Sequence, residues 1–103
     1  MYKVDVSDRA ETDLDRIIEY ITVKLSAPKA ASDLLDKVYD CYSNLEKNPY
    51  VYETCRDSRL KSEGYRRAVI NNYIMIYKVY EDTKDVIVHD FFYGGQDYTT
   101  LIL

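Results

Sequence analysis

The order of apolar and polar positions predicts one short strand followed by a long helix. Residues 2–6, YKVDV, alternate apolar and polar side chains as a strand does. The next segment, from Ser7 to Leu25, places apolar residues at the i, i+3, i+4, i+7 spacing of one helix face. Ser7 or Asp8 is expected to cap this helix, because short polar side chains accept hydrogen bonds from the first free amides. The apolar face consists of Ala10, Leu14, Ile17, Ile18, Ile21 and Leu25.

A second amphipathic helix is predicted from Pro28 to Asn48. Proline suits the first helical position, and Asn48 precedes Pro49, which disfavours helical backbone in the residue before it. The break between the two helices is short, so they are expected to form an antiparallel hairpin with a shared apolar face. The stripe of the second helix consists of Ala31, Leu34, Leu35, Val38, Tyr42 and Leu45.

The remaining chain changes its period. Residues 49–64 form a charged, irregular connection with room for one helical turn, and strands are predicted over residues 65–70, 73–80 and 86–93. Asn71-Asn72 is expected to form the tight turn of a hairpin, because asparagine tolerates left-handed backbone. The order β-αα-βββ predicts a single α+β domain over residues 1–103. Its N-terminal helical hairpin would pack on one face of a curved, mainly antiparallel sheet.

The second face of this sheet allows two interpretations. The strands over residues 73–80 and 86–93 are apolar on both faces, whereas a helical hairpin covers only one. Either the sheet curls and buries its own second face, or that face is an aromatic surface for a partner. The chain contains 12 Tyr, a residue type that tolerates both water and burial at an interface, which favours the partner surface.

Composition restricts the compartment and the chemistry. The two Cys have neither disulfide-framework nor metal-site spacing and are expected to be free thiols in a reducing environment. No apolar run approaches the roughly 20 residues of a membrane span, and the N-terminus does not resemble a signal peptide. A cytoplasmic protein with no metal, no cofactor and no membrane contact is therefore expected.

Charge is unevenly distributed along the chain. The net charge of −4, from 14 Lys and Arg against 18 Asp and Glu, argues against a general polyanion binder. One stretch, RDSRLKSEGYRR over residues 56–67, is basic and is called the basic segment below. Its five cations are Arg56, Arg59, Lys61, Arg66 and Arg67.

Three stretches of the chain together resemble the RelE/ParE superfamily of type II toxin–antitoxin toxins. They are AETDLDRIIEYI, the NPY that ends the second helix, and GYRRAVINNYIMIYKVYEDTKDVIVHDFFYGGQDY, and they span nearly the whole chain. The resemblance implies a small toxin held inactive by a cognate antitoxin that wraps an extended or helical segment around it. The residues expected to bind the antitoxin are Tyr73, Tyr77, Phe91 and Tyr93. The sequence leaves open a homodimer through the same aromatic face.

The superfamily implies two alternative mechanisms. RelE-like members are ribosome-dependent mRNA interferases, in which a ribose 2′-OH attacks the adjacent phosphate, whereas ParE-like members inhibit DNA gyrase without nuclease activity. The candidates for nuclease chemistry are Arg66, Arg67, His89 and Tyr98. The two arginines are neighbours on one strand and point to opposite faces, so only one of them could reach a common site. His89, in the middle of a strand, is expected to be structural.

The C-terminal motif YGGQDY, residues 93–98, and the net charge favour the ParE-like mechanism. Gln96 stands where RelE-like toxins usually have Arg, and a neutral amide cannot replace a guanidinium against a dianionic transition state. A gyrase-binding surface is then expected, because Arg and Tyr dominate protein-binding hot spots. It would contain Arg56, Arg59, Lys61, Arg66, Arg67, Gln96 and Tyr98. The alternatives are a RelE-like interferase and a degenerate, non-toxic member that only binds its antitoxin.

Two structural interpretations of these residues are also open. Arg66 and Arg67 would pair with helix carboxylates such as Asp15 or Glu19 and hold the layers together. The GGQDY stretch would form a strand-ending turn, in which Gly94 and Gly95 supply positive φ angles.

Overall fold

The computed structural model describes residues 1–95, and their helices and strands follow the predicted order. The α+β class and the helical hairpin against a mainly antiparallel sheet are confirmed. The strands are β1 (Lys3–Val6), β2 (Tyr65–Ile70), β3 (Tyr73–Tyr80) and β4 (Asp85–Tyr93). The helices are α1 (Asp8–Glu19), α2 (Pro28–Lys47) and α3 (Ser58–Ser62).

The start of α1 is tied to the sheet by its capping residue. Ser7, rather than Asp8, is the N-cap, and its Oγ accepts a hydrogen bond of 3.0 Å from the Ala10 amide. The same hydroxyl donates to the His89 carbonyl oxygen at 3.1 Å. The cap therefore fixes the first turn of α1 against β4.

The end of the first helix differs from the prediction. After Glu19 the chain forms a π-helical turn, Tyr20–Lys24, in which the Leu25 amide donates to the Tyr20 carbonyl oxygen at 3.1 Å. A π-type bond spans one residue more than an α-helical bond, so the following positions rotate off the apolar stripe. Leu25, predicted to lie on that stripe, is consequently exposed.

The second helix has the predicted boundaries. Pro28 is its first residue, and Asn48 ends it, with the Asn48 amide donating to the Asn44 carbonyl oxygen at 2.8 Å. Its buried side chains are those of Ala31, Leu34, Val38, Cys41 and Leu45. Among the helices within residues 1–95, none combines the length and the apolar character that a membrane crossing requires.

The sheet has the strand order β1-β4-β3-β2. The strands β2, β3 and β4 are antiparallel, whereas β1 pairs with β4 in parallel, with Val4 opposite Val86. The β3–β4 register shifts at one point, where Ile76 pairs with Asp90 but Tyr77 pairs with Val88. His89 is therefore the extra residue of a bulge, and bulges often re-aim side chains at such positions.

The helices cover the face of the sheet that carries Tyr77 and Phe91. These side chains are 0% and 4% exposed, and the Tyr77 hydroxyl donates to the Pro49 carbonyl oxygen at 2.7 Å. The fully buried Tyr77 cannot contact an antitoxin in this fold, so that expectation is corrected. Phe91 also lines a groove with Tyr73 and Tyr93, and its contact with an antitoxin stays a prediction. Both faces of β3 are apolar, and the residue pattern did not determine which face the helices would cover.

The second face is covered by a different part of the chain than either interpretation expected. Leu60 of α3 and Cys55 of the connection lie over it, and Tyr65 packs at its margin. The buried cluster consists of Cys55, Leu60, Ile74, Ile76 and Phe92. The connection and α3 therefore cover the middle of this second face, which is called the outer face below. The sheet does not bury this region by curling, and the region is not open to a partner.

Candidate functional site

The basic segment carries its own carboxylate partners. Arg59 Nη1 lies 3.3 Å from Glu63 Oε2, and Arg56 Nη2 lies 3.4 Å from Glu53 Oε1. Arg67 Nη1 lies 2.5 Å from the same Glu53 oxygen. Three of the five cations are therefore ion-paired, and the segment is a surface of mixed charge rather than a bare positive patch.

Arg67 is enclosed on the outer face of the sheet. Only 8% of the residue is exposed, and it lies opposite Ile76, which belongs to the cluster under α3. Its amide donates to the Glu53 carbonyl oxygen at 3.0 Å, so backbone and side chain both hold the connection. The Arg67 guanidinium holds the pKa of the Glu53 carboxyl below its usual range.

Arg66 points to the other side of β2, as strand alternation predicts. Its Nη1 donates to the Tyr52 carbonyl oxygen at 2.7 Å, and its guanidinium carbon lies 4.9 Å from the centre of the Tyr50 ring. The expected pairing of Arg66 and Arg67 with Asp15 or Glu19 is therefore wrong. Both arginines instead anchor the connection, which passes close to β2 on its way to α3.

The Glu53–Arg67 pair gives a stability prediction. Truncating Glu53 to alanine leaves the buried Arg67 guanidinium without its carboxylate, and we expect the free energy of unfolding to fall, because a buried charge loses its partner. Adding Arg67→Met should restore most of this loss, because an apolar side chain of similar length has no charge to compensate. Denaturant unfolding of the two single variants and the double variant measures the coupling.

Arg56→Met is the matched control, because Arg56 shares the Glu53 carboxylate but is exposed. It should change the unfolding free energy by less than about 0.5 kcal/mol. Equal losses for Arg56→Met and Glu53→Ala, with no rescue by Arg67→Met, would contradict the assignment.

Glu81 organises the neighbouring corner of the molecule. Its carboxylate accepts hydrogen bonds from the Tyr2 hydroxyl at 2.9 Å, from the Tyr50 hydroxyl and from Lys84 Nζ. Lys84, followed by the two tyrosines, lowers the pKa of Glu81 to about 2. This cluster holds the Tyr50 ring against Arg66, and the sequence did not indicate it, because its members come from distant segments without a shared pattern.

His89 lies beside a tyrosine–lysine cluster on the outer face. Its ring meets the Tyr65 ring edge-on at 5.4 Å, and its buried Nε2 has no hydrogen-bond partner. Burial, and then the charge of Lys78, lowers the pKa of His89, so the neutral form is favoured. Lys78 Nζ lies 5.3 Å from the Tyr65 ring and 5.4 Å from the Tyr80 ring. A neutral, enclosed imidazole fits the structural role expected for His89 better than proton transfer.

The other two predicted antitoxin contacts remain accessible. Tyr93 is exposed and meets the half-buried Tyr73 ring at 5.9 Å. Together with Ile17, Tyr20 and Leu25 they line a groove of about 620 Å³ between the end of the first helix and the β3–β4 hairpin. The residues Gln96 and Tyr98 lie outside the described part of the chain.

The strand-ending turn at Gly94 has a different basis from the expected one. Neither Gly94 nor Gly95 has a positive φ. Gly94 is required for space, since an added Cβ would lie 3.0 Å from the Asn72 carbonyl oxygen, which accepts the Gly94 amide at 2.7 Å. Separately, residues 1–95 contain no group of three or more His, Cys, Asp or Glu side chains placed to hold a metal ion.

Comparisons with known proteins place this geometry among toxins. Residues 4–98 match the sequence profile of the family described as "ParE toxin of type II toxin-antitoxin system, parDE". The fold is similar to a chain of the chromosomal ParDE toxin–antitoxin system from P. aeruginosa, with a TM-score of 0.69 and 16% identity, covering 88% of this chain and 94% of that one. It is also similar to a chain of the RelBE2 toxin–antitoxin complex from Mycobacterium tuberculosis, with a TM-score of 0.62 and 17% identity, covering 89% and 96%. A search of curated proteins found no significant match.

Proposed function

The chain belongs to the ParE toxin family of type II toxin–antitoxin systems, and on that premise we propose that it stops growth by binding DNA gyrase rather than by cutting RNA. We further propose that a cognate antitoxin neutralises it. The two solved neighbours are both named as toxin–antitoxin systems, which supports that partnership.

The choice of gyrase as the target rests on one observation, which is that contacts within the protein hold both arginines of β2. A ribonuclease of the RelE type needs a cation that is free to stabilise the charge on the phosphorane. Arg67 is buried against Glu53, and Arg66 is held by the Tyr52 carbonyl and the Tyr50 ring. Moving either to a phosphate would require breaking these contacts. The two arginines that the nuclease mechanism would use are therefore bound to other parts of the protein within residues 1–95.

The same surface suits a protein target. Arg56, Arg59 and Lys61 are exposed around α3, and Tyr50 lies exposed beside Arg66. Alternating cations and carboxylates with exposed tyrosine match the polar rims and the Arg- and Tyr-rich hot spots of protein interfaces. Gln96 and Tyr98 stay in the proposed surface as predictions from the sequence.

A supercoiling assay tests this proposal directly. Purified wild-type protein should inhibit DNA supercoiling by gyrase, and the variant Arg56→Ala, Arg59→Ala, Lys61→Ala should need at least about ten times more protein for the same inhibition, as loss of a hot spot implies. The variant Lys3→Ala, Lys24→Ala, Lys47→Ala removes the same charge from other exposed positions and should behave as wild type. Pulse-labelling after induction in cells should show DNA synthesis stopping before protein synthesis.

Two results would reject the gyrase target and are easily told apart. If protein synthesis stops first and ribosome-bound mRNA is cleaved, the protein is a RelE-like interferase. If neither synthesis is affected although the protein is folded and abundant, it is a non-toxic member of the family.

A further inference from the structure

The groove between the end of the first helix and the β3–β4 hairpin is bordered by exposed apolar side chains. Tyr20 and Leu25 line it from the helical side, and Tyr73, Phe91 and Tyr93 line it from the sheet. We call it the aromatic groove. Tyr20, Leu25 and Tyr93 are each more than half exposed. Exposed apolar side chains that gather around one depression, rather than being scattered singly, mark an interaction surface.

The π-helical turn Tyr20–Lys24 produces part of this exposure. In an uninterrupted α-helix, Leu25 would lie on the buried stripe, four residues after Ile21. The π turn rotates Leu25 off that stripe and onto the lining of the aromatic groove. The chain therefore gives up the burial of a leucine here, and turns of this kind are frequent at functional sites. A partner that covers Leu25 would restore the lost burial.

The charged lining of the aromatic groove is balanced, and both charges come from α1. Asp13 and Arg16 line the groove, three residues apart on one face of the helix. Asp13 is partly buried, and its Oδ2 accepts a hydrogen bond of 3.3 Å from the Phe91 amide. Arg16 is exposed, and none of the ion pairs within residues 1–95 includes it. One held carboxylate and one unpaired guanidinium thus border the apolar floor.

A two-fold axis at the groove would match each of these charges with the opposite one. A symmetric dimer joins the same patch on both copies, so that residue i meets residue j and j meets i. Asp13 of one copy would face Arg16 of the other on both sides of the axis. The exposed rings and Leu25 would cover each other between these two pairs, as in the apolar centre of a homodimer interface.

We propose that the aromatic groove is the interface of a homodimer, in which a second copy of this chain covers Tyr20 and Leu25 and pairs its Arg16 with Asp13. The proposal does not depend on gyrase as the target. Within residues 1–95, none of the cations assigned to the target surface lines this groove.

The balance of charge favours a second copy over other occupants. A membrane surface is anionic, and the groove offers it one cation beside a carboxylate. A strongly charged peptide would meet its own sign among the lining residues. The net charge of −4 on each copy acts at longer range and is screened at physiological salt. The antitoxin contacts predicted for Tyr73, Phe91 and Tyr93 lie in the same groove, so an antitoxin bound there would displace the second copy.

The first test measures the oligomeric state of the purified protein without antitoxin. Sedimentation velocity at about 0.15 M salt should show an equilibrium between monomer and dimer. Leu25→Ser should raise the Kd of the dimer at least about tenfold, because it removes an apolar group from the interface. Val51→Ser is the matched control. Val51 is 56% exposed against 55% for Leu25 but does not line the groove, so its Kd should stay within about twofold of wild type.

The second test uses the two-fold symmetry. Arg16→Glu sets two carboxylates against each other on both sides of the axis, and Asp13→Lys sets two cations against each other, so each variant alone should stay monomeric at concentrations where the wild type is dimeric. Mixed in equal amounts, the two variants should form a heterodimer, because each pair then joins a carboxylate with a cation.

Circular dichroism of each variant checks its fold, because Asp13 also holds the Phe91 amide. If Asp13→Lys does not fold, Arg16→Glu and Leu25→Ser still test the interface, since both of these positions are exposed. Rescue on mixing would not follow from a purely structural role of either residue.

Three outcomes would overturn the inference. A wild-type monomer at every concentration up to about 1 mM would remove the dimer. A dimer whose Kd is unchanged by both Leu25→Ser and Arg16→Glu would place the second copy on another surface. A wild-type monomer in which Leu25→Ser lowers the affinity for the antitoxin at least about tenfold would assign the groove to the antitoxin. Failure of gyrase inhibition is a separate result and leaves the sedimentation measurements unchanged.

Discussion

Replacing Leu60 by alanine should lower the free energy of unfolding by about 2–5 kcal/mol, the range for truncating a fully buried leucine. Leu60 is 0% exposed and is the α3 side chain in the cluster that covers Ile74, Ile76 and Phe92. A helix of five residues has little stability of its own, so its position depends on this anchor. For a domain stabilised by about 5–15 kcal/mol, the loss is a large fraction of the total.

Urea unfolding of Leu60→Ala and of Val69→Ala measures the effect against a matched control. Val69 lies on β2, is 62% exposed and should change the unfolding free energy by less than about 0.5 kcal/mol. The Leu60 variant should also inhibit gyrase less, because α3 carries Arg59 and Lys61. A loss for Leu60→Ala below about 1 kcal/mol would mean that α3 does not cover the outer face in solution.

Replacing Asp90 by asparagine should raise the free energy of unfolding near pH 7.5 by up to about 3 kcal/mol. Asp90 is only 2% exposed, and its burial raises the pKa to about 6, although Arg9 Nε lies 2.6 Å from Oδ1 and opposes the shift. Asp13 adds to the increase by charge and by a hydrogen bond. A raised carboxyl pKa means that the fold disfavours the charged form, and about two pH units correspond to about 3 kcal/mol.

The sign of the pH dependence follows from the pKa of Asp90 in the folded chain and its pKa in the unfolded chain. Below about pH 4 Asp90 is protonated in the folded and the unfolded chain, so the variant and the wild type should be equally stable. Between about pH 4 and 6 the unfolded chain loses this proton first, so wild-type stability falls relative to the variant as pH rises. Denaturation at pH 4, 5, 6 and 7.5 gives the difference in unfolding free energy between the variant and the wild type. Arg9 is half exposed, so water can solvate it after its partner is neutralised.

Asp82→Asn is the control for this difference, because Asp82 is an exposed carboxylate in the β3–β4 turn. Asp82→Asn should change the unfolding free energy at pH 7.5 by less than about 0.5 kcal/mol, as exposed substitutions generally do. A loss of stability in Asp90→Asn at every pH would show that the pair with Arg9 stabilises the fold more than burial costs.

Local periodicity predicted the helices and strands, and its failures have identifiable causes. The stripe of α2 and the start of β2 at Tyr65 follow from spacing and turn residues alone. Leu25 left the predicted stripe because a π-helical turn changed the spacing. Tyr77 was assigned to the wrong environment because both faces of β3 are apolar, so alternation could not decide which face meets the helices.

The candidate site was less predictable than the fold, because its partners lie in segments without a pattern. The sequence indicates Arg66 and Arg67 as candidates. The residues that surround them, Glu53, Tyr50 and Glu81, come from the irregular connection and from a turn. Such pairings depend on the three-dimensional path of the chain.

Because β1 pairs with β4, the sheet can be completed only late in synthesis. Within residues 1–95, the one strand partner of β1 is residues 85–88, so about 80 residues are synthesised between the two. At about 5–20 residues per second, β1 waits roughly 4–16 s before the sheet can close. A partial chain on the ribosome therefore lacks the completed sheet on which the proposed target surface depends. The proposed antitoxin can thus be present several seconds before the toxin becomes a folded protein.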